Sequence, residues 1–375
     1  MPGLRPDVDP NGLQEFSVVF TDRSLNHMST KFQAAMRDIS AILREAYSAH
    51  AVVIVPGGGT YAMESVARQF ASGKHALIVR NGWFSFRWSQ IFEMGGFAAQ
   101  ATVVMAHQTG NRGRSPYAPP PIEEVVAKIH EVRPDVVFAP HVETSAGLIL
   151  PDSYVMTMAS AAHDVGALVV LDGIASGAIW VDMVATGVDV LISAPQKGWS
   201  ASPSAGLVML SKRAAEKLEK TTSNSFAMDL KKWRTIMAAY ENGGHAYHAT
   251  MPTDALMGLR TAMDETRSYG FGRLREAQWS LGDGVRAMLA AKGVLSVAAE
   301  GFGAPGVVVS FTDDPDIQNG KKFAAEGMQI AAGVPLQVGE GPEFRTFRIG
   351  LFGLDKLANV EGTIARLKAV VDRVM

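Results

Sequence analysis

Cysteine is absent from all 375 residues. That excludes a disulfide scaffold, zinc fingers, iron–sulfur sites and a catalytic thiol. Charge is also scarce: Asp, Glu, Lys and Arg make up 19% and nearly cancel, at a net −2. A dedicated nucleic-acid binder carries a strong basic excess, so that class is set aside. No run approaches the ~18 uninterrupted apolar residues of a membrane helix. The opening MPGLRPDVDPNG is polar and turn-forming, without the apolar core of a signal peptide. The closing DRVM is not a receptor-read address. A cytoplasmic protein with no nucleic-acid or membrane partner is expected. Fixed-period repeats and low-complexity tracts are missing as well. What remains is 47% hydrophobic and holds 37 glycines. A chain of this length can bury a large core in one large or two ordinary domains.

Short apolar runs alternate with longer helical stretches. AVVIV (51–55), HALIV (75–79), TVVM (102–105), DVVFAP (135–140), ALVVLD (167–172) and VDVLISA (188–194) read as strands. Strands spaced by helices imply βαβ units and a largely parallel sheet. Continuous Val/Ile/Leu runs suit strands covered on both faces. The pattern changes after MPTDALMGLRTAMDET (251–266). A long helical stretch, GVVVSF (306–311), FRTFRIGLFG (344–353) and a last helix then follow. The reading is an N-terminal arm with a large domain over 1–265 and a smaller α+β domain over 266–375.

Ligands of an open parallel sheet bind beyond the C-terminal ends of its strands. The first strand runs into Pro56-Gly57-Gly58-Gly59-Thr60, and the second into Arg80-Asn81-Gly82-Trp83-Phe84. The fourth leads to His141-Val142-Glu143-Thr144-Ser145. The fifth ends on Asp172, and the sixth leads to Pro195-Gln196-Lys197-Gly198. Glycines opening a helix leave bare N–H groups suited to a phosphate. The same run matches the relaxed dinucleotide pattern G-x-G-x-x-A through Gly57, Gly59 and Ala62. It also reads as a plain strand-to-helix turn. Asp172 is either a turn carboxylate or a buried acid facing a cation. Lys197 is either a solvated loop lysine or a desolvated amine made nucleophilic by its small, uncharged flanks. Together, a Schiff-base lysine and an acid for a pyridinium nitrogen are what pyridoxal phosphate requires. Phe84 or Trp83 supplies a ring to stack on it.

With these residues in place, the chain resembles the class V aminotransferases of the fold-type I pyridoxal-phosphate enzymes, in particular alanine–glyoxylate and serine–pyruvate aminotransferases. The likeness runs from about residue 27 to 353. It is carried by His27-Met28-Ser29, GGGTYAME (57–64), NGWFSFR (81–87), HVETSAG (141–147), LDGIAS (171–176), SAPQKG (193–198), YHATMP (247–252) and FRIGLFG (347–353). It implies a large domain with a mostly parallel seven-stranded sheet between helices. It implies Lys197 as the Schiff-base lysine and Asp172 as the acid on the pyridine nitrogen. Gly58, Gly59, Thr60 and Gln196 would hold the phosphate. Phe84 and Ile174 would take the two faces of the ring, and Ser145 with Thr144 its phenolate side. Tyr247 and Thr250 would complete a partner subunit's site, making a homodimer with active sites at the subunit interface. Arg348 would clamp the substrate carboxylate, a task suited to its planar fork.

The implied function is ping-pong transfer of an amino group from a small amino acid, alanine or serine, to a 2-oxo acid, glyoxylate or pyruvate. A lyase or hydrolase of the same fold is the alternative. The cysteine desulfurases among these lack their nucleophile here. A nicotinamide oxidoreductase would leave Lys197, Gln196 and Arg348 unexplained, and a non-catalytic relative would have lost the lysine or the aspartate. One departure concerns the substrate pocket. The family's GPGP segment is replaced by EFSVVFTDRSLN (15–26), which offers Arg23, Ser24 or Asn26 instead. Arg87 reads as structural or as part of the pocket, His163 as a helix-end histidine, and His245 with His248 as no metal pair.

Overall fold

The structure is a computed structural model that describes residues 8–10, 12–110 and 113–375. Seven strands build the main sheet: β1 (Ala51–Pro56), β2 (His75–Arg80), β3 (Gln100–Met105), β4 (Val136–Pro140), β5 (Leu168–Asp172), β6 (Val190–Ser193) and β7 (Ala205–Leu210). Their spatial order is β1-β7-β6-β5-β4-β2-β3. All pair in parallel except β7, which is antiparallel to both β1 and β6. The central strands are buried along their length, as their unbroken Val/Ile/Leu runs require. The sequence reading listed six strands and passed over β7. Its lead-in, SASPSAG, is proline- and glycine-bearing and hides the start of an apolar strand.

Helices cover both faces. In α1 (Thr30–Tyr47), the Ser29 side chain accepts from the Phe32 amide. Phe32, Met36, Ile39, Leu43 and Tyr47 then recur every three or four residues and are buried. Gly59–Phe70 forms α2, Trp83–Gly95 α3, Ile122–Val132 α4, Asp152–Asp164 α5 and Leu230–Glu241 α6. Thr253–Tyr269 forms α7 and packs along α1.

The sequence places a domain junction at 265/266, but α7 runs unbroken through it to Tyr269. The chain turns at Gly270, whose φ of 101° suits glycine, and α8 (Phe271–Ala290) begins at once. Beyond it lie a three-stranded antiparallel sheet, β8 (Val307–Phe311), β9 (Ala331–Ala332) and β10 (Thr346–Gly350), in the order β8-β10-β9, and the closing helix α9 (Val360–Val374). A second apolar cluster joins this part to the segments that follow β4 and β5. It packs Val142, Leu148 and Ile179 with Val297, Val309 and Phe311. Buried Gln278 of α8 donates to the Pro305 and Leu351 carbonyls and accepts from the Ala178 amide. The joint is therefore held by both apolar and polar contacts.

Candidate active site

The C-terminal ends of β1, β2, β4, β5 and β6 open onto one rim. At β1 the chain turns through Gly57, with φ at 116°. Gly58 is fully extended and caps α2 without a side chain. A Cβ added at Gly58 would meet nothing within 4 Å. No side chain caps the first turn of α2, which leaves its leading backbone donors for an anion. A Cβ at Gly59 would run into Ile174, so Ile174 packs where Gly59 has no side chain.

Asp172 ends β5, between Pro140 of β4 and Ile192 of β6. It is 7% exposed, and its carboxylate accepts from the Ile174 amide at 3.0 Å. Burial pushes its pKa up to about 7. The nearby Glu143 charge adds to this, while the amide bond, Arg87 and Lys197 oppose it.

Lys197 sits one strand further, in a turn closed by Ser200 N–H to the Lys197 carbonyl and Ala201 N–H to the Pro195 carbonyl. Two contacts fix that turn. Trp199 is fully buried against Trp180 and Tyr47, with ring centroids 4.7 and 6.1 Å away. Gly198 abuts the Gly177 carbonyl so closely that a Cβ would collide with it. The Lys197 ammonium lies 4.9 Å from the Phe352 ring centroid. Burial lowers its pKa, and Arg348 and Arg87 lower it further against the pull of Asp172.

Phe84 is the second residue of α3. Two guanidinium groups approach its ring, Arg87 at 4.8 Å and Arg348 at 5.5 Å from the centroid. Arg87 also donates to the Thr60 hydroxyl at 3.1 Å. Arg348 projects from β10, where its Nε donates to the Ala332 carbonyl at 2.8 Å. Among the described residues its two terminal nitrogens have no hydrogen-bond partner. That leaves a fork free for a carboxylate.

Gly58, Gly59, Thr60, Phe84, Asp172, Ile174, Lys197 and Arg348 therefore share one cleft. Gln196 is exposed beside the lysine turn. Tyr247, 53% exposed, and Thr250 lie on the surface between α6 and α7, joined by a 3.1 Å hydroxyl contact. Ser145 lies against the start of α3. Its hydroxyl accepts from the Trp83 amide and donates to Glu143. Both its bonds are thus committed within the protein, and it is fully buried. The hydroxyl of its neighbour Thr144 has no such partner among the described residues. Asn26 is likewise engaged, donating to Glu15 and Ser17.

Arg87, read as structural or as part of the pocket, stands beside Phe84 and Thr60, and its i,i+3 spacing from Phe84 on one helix face was the available signal. Two residues near the cleft escaped the sequence reading. Phe352 carried no signal beyond its place in FRIGLFG. Glu143 stood among the strand-end residues, but its partners could not be read from the chain.

The chain matches the family model "Aminotransferase class-V" over residues 14–313. It is 26% identical over 353 residues to alanine–glyoxylate aminotransferase 1 of Saccharomyces cerevisiae, covering 88% of this chain and 86% of that protein. It is 25% identical over 351 residues to the small subunit of a soluble hydrogenase from a Synechococcus species, covering 92% and 87%. A solved alanine–glyoxylate aminotransferase from a Nostoc species superposes with a TM-score of 0.79 at 22% identity, over 93% of this chain and 89% of the other.

Proposed function

This chain belongs to the class V aminotransferases, enzymes that move an amino group onto a keto acid, and on that premise we propose the donor, the acceptor and the residues that act. The donor is a small amino acid, alanine or serine. The acceptor is a small 2-oxo acid, glyoxylate or pyruvate. The cofactor is pyridoxal 5′-phosphate, on which the family generally depends.

The residues fit that group. The cradle at Gly58 is open, a buried acid stands where a ring cation would need one, and an amine with weakened proton affinity stands beside it. The juxtaposition of Asp172 and Lys197 at the ends of neighbouring strands carries the reading. The chain has no cysteine to hold a thiolate-bound metal, so the hydrogenase name of one relative finds no ligand set of that kind here.

When bound, pyridoxal phosphate supplies an electron-accepting ring. The chain's own groups do the rest. The amides of Gly58, Gly59 and Thr60, with Gln196, would bind the phosphate at the positive end of α2. Asp172 would hold a proton on the ring nitrogen. Phe84 and Ile174 would fix the ring plane, and Thr144 would offer a hydroxyl to its polar edge. Arg348 grips the substrate carboxylate with two parallel N–H bonds. Lys197 Nζ, its proton affinity lowered by burial and by Arg348 and Arg87, would take the proton from the substrate Cα and return it during the transfer.

A homodimer is the working unit. Leu13, Phe16, Val18, Phe226 and Tyr247 are large side chains exposed on a single chain. Tyr247 and Thr250 would then reach the phosphate of the neighbouring site.

Borohydride treatment of the cofactor-bound protein should fix the cofactor on the peptide holding Lys197, and Lys197→Ala should lose both the tag and turnover. Tagging that survives Lys197→Ala overturns the assignment. Donor panels against glyoxylate, pyruvate and 2-oxoglutarate test the substrate. A strong preference for 2-oxoglutarate would overturn the small-substrate reading.

A further inference from the structure

We propose that Glu143 is a positioning residue that seats the Phe84 ring by capping α3 with a fully buried carboxylate. The statement rests on the reading of Phe84 as the ring that stacks on the cofactor.

Glu143 is 0% exposed. A carboxylate without water must find its donors inside the protein, and this one finds five. Its Oε1 accepts from the amide of Phe84 itself at 3.2 Å, and from the amide and hydroxyl of Ser145 at 3.1 and 2.7 Å. Its Oε2 accepts from the amide and hydroxyl of Ser85 at 2.9 and 2.7 Å. Ser145 adds a second tie, accepting from the Trp83 amide at 2.9 Å. Consecutive backbone donors at the start of α3 are therefore all directed at one anionic cluster.

A negative charge at a helix N-terminus is favourable, and bonds to a charged acceptor are about twice as strong as neutral ones. The approach is allowed because Gly82 has no side chain. A Cβ there would overlap the Ser145 hydroxyl and crowd the Glu143 carboxyl. Glu143 sits on a tight reversal in which the Gly147 amide donates back to its carbonyl, so the anchor is itself held. Fixing three successive residues of α3 fixes the direction of the Phe84 Cα–Cβ bond, and with it where the ring lies. All five donors to the carboxylate are protein groups, so it acts through the residues it holds. Its charge also faces Asp172, Arg348 and, through Phe84, the Arg87 side.

The test is a double-mutant cycle on cofactor affinity, read by spectroscopic titration of the apoprotein with pyridoxal phosphate. Glu143→Gln should raise Kd about tenfold in the wild-type background and under about twofold in a Phe84→Ala background. The visible circular dichroism of the bound cofactor should fall in Glu143→Gln, a signature of ring orientation that general loosening would not move selectively. Ser145→Ala, a milder change, should raise Kd about threefold with the same dependence on Phe84. It serves if Glu143→Gln does not fold. An equal cost with and without the Phe84 ring overturns the proposal, as does no cost in the wild-type background. If the wild-type protein itself fails to bind pyridoxal phosphate, the functional reading falls and takes this proposal with it. Wild-type binding with an additive cycle overturns the proposal alone.

Discussion

Asp172 is held in a condition that costs the folded chain stability. Its pKa stands at about 7 against an ordinary 3.8, because burial disfavours its charged form. Below about pH 3 the carboxyl is mostly neutral whether the chain is folded or unfolded, and little is lost. As pH rises from there, the unfolded chain gives up the proton while the folded one keeps it. Stability therefore falls progressively and levels off above about pH 7. Asp172→Asn removes this titration. Urea unfolding of the apoprotein should find the variant more stable than wild type at pH 8, by up to about 4 kcal/mol, with the gap closing toward pH 4. A gap that is constant with pH would contradict the buried-acid account. Asp172 and Lys197 were legible from the chain because the strand-end rule needs only local runs of apolar residues. Glu143 was not, and Arg87 only in part, because each acts through partners on other elements. Ser145 shows the same limit: its place in HVETSAG was visible, but the direction of its hydroxyl depends on Glu143 and Trp83.

At the level of elements, the glycine turn separates what the fold needs from what the site needs. Gly57 requires its left-handed backbone, and Gly198 requires the missing side chain. Gly58 requires neither, since it is extended and faces empty space. Gly58→Ala should leave the stability of the apoprotein within about 0.5 kcal/mol of wild type by thermal unfolding. The same methyl intrudes where the phosphate would lie, so the cofactor Kd should rise at least about tenfold. Unchanged affinity would remove Gly58 from the cradle. Most elements were readable from periodicity. Two were displaced by local chemistry: β7, masked by the small residues before it, and the α7–α8 junction, set by Gly270 rather than by the change of pattern near 266.

For the whole molecule, the surface placement of Tyr247 and Thr250 makes a prediction about pairs of chains. Lys197→Ala keeps a sound Tyr247, and Tyr247→Ala/Thr250→Ala keeps a sound Lys197. In a homodimer with shared sites, refolding the two inactive variants together should create one intact site per mixed dimer. Activity should return to about a quarter of wild type after random pairing. No recovery, despite mixed dimers seen by sedimentation, would mean that these residues serve their own subunit.

The position of β7 carries a consequence for how the protein comes to exist. β1 is the first strand made, yet it stands at the sheet edge and hydrogen-bonds only to β7, the last, with Ala51 opposite Leu210. During synthesis AVVIV must therefore wait, unpaired and apolar, until the final strand of the sheet leaves the ribosome. Such long-range closure is slow, and a waiting hydrophobic edge invites aggregation. The turn that opens α2 hangs on β1, and the Lys197 turn lies just before β7. The two halves of the cleft thus meet only at that last closure, and a nascent chain has no assembled cleft until its sheet is complete.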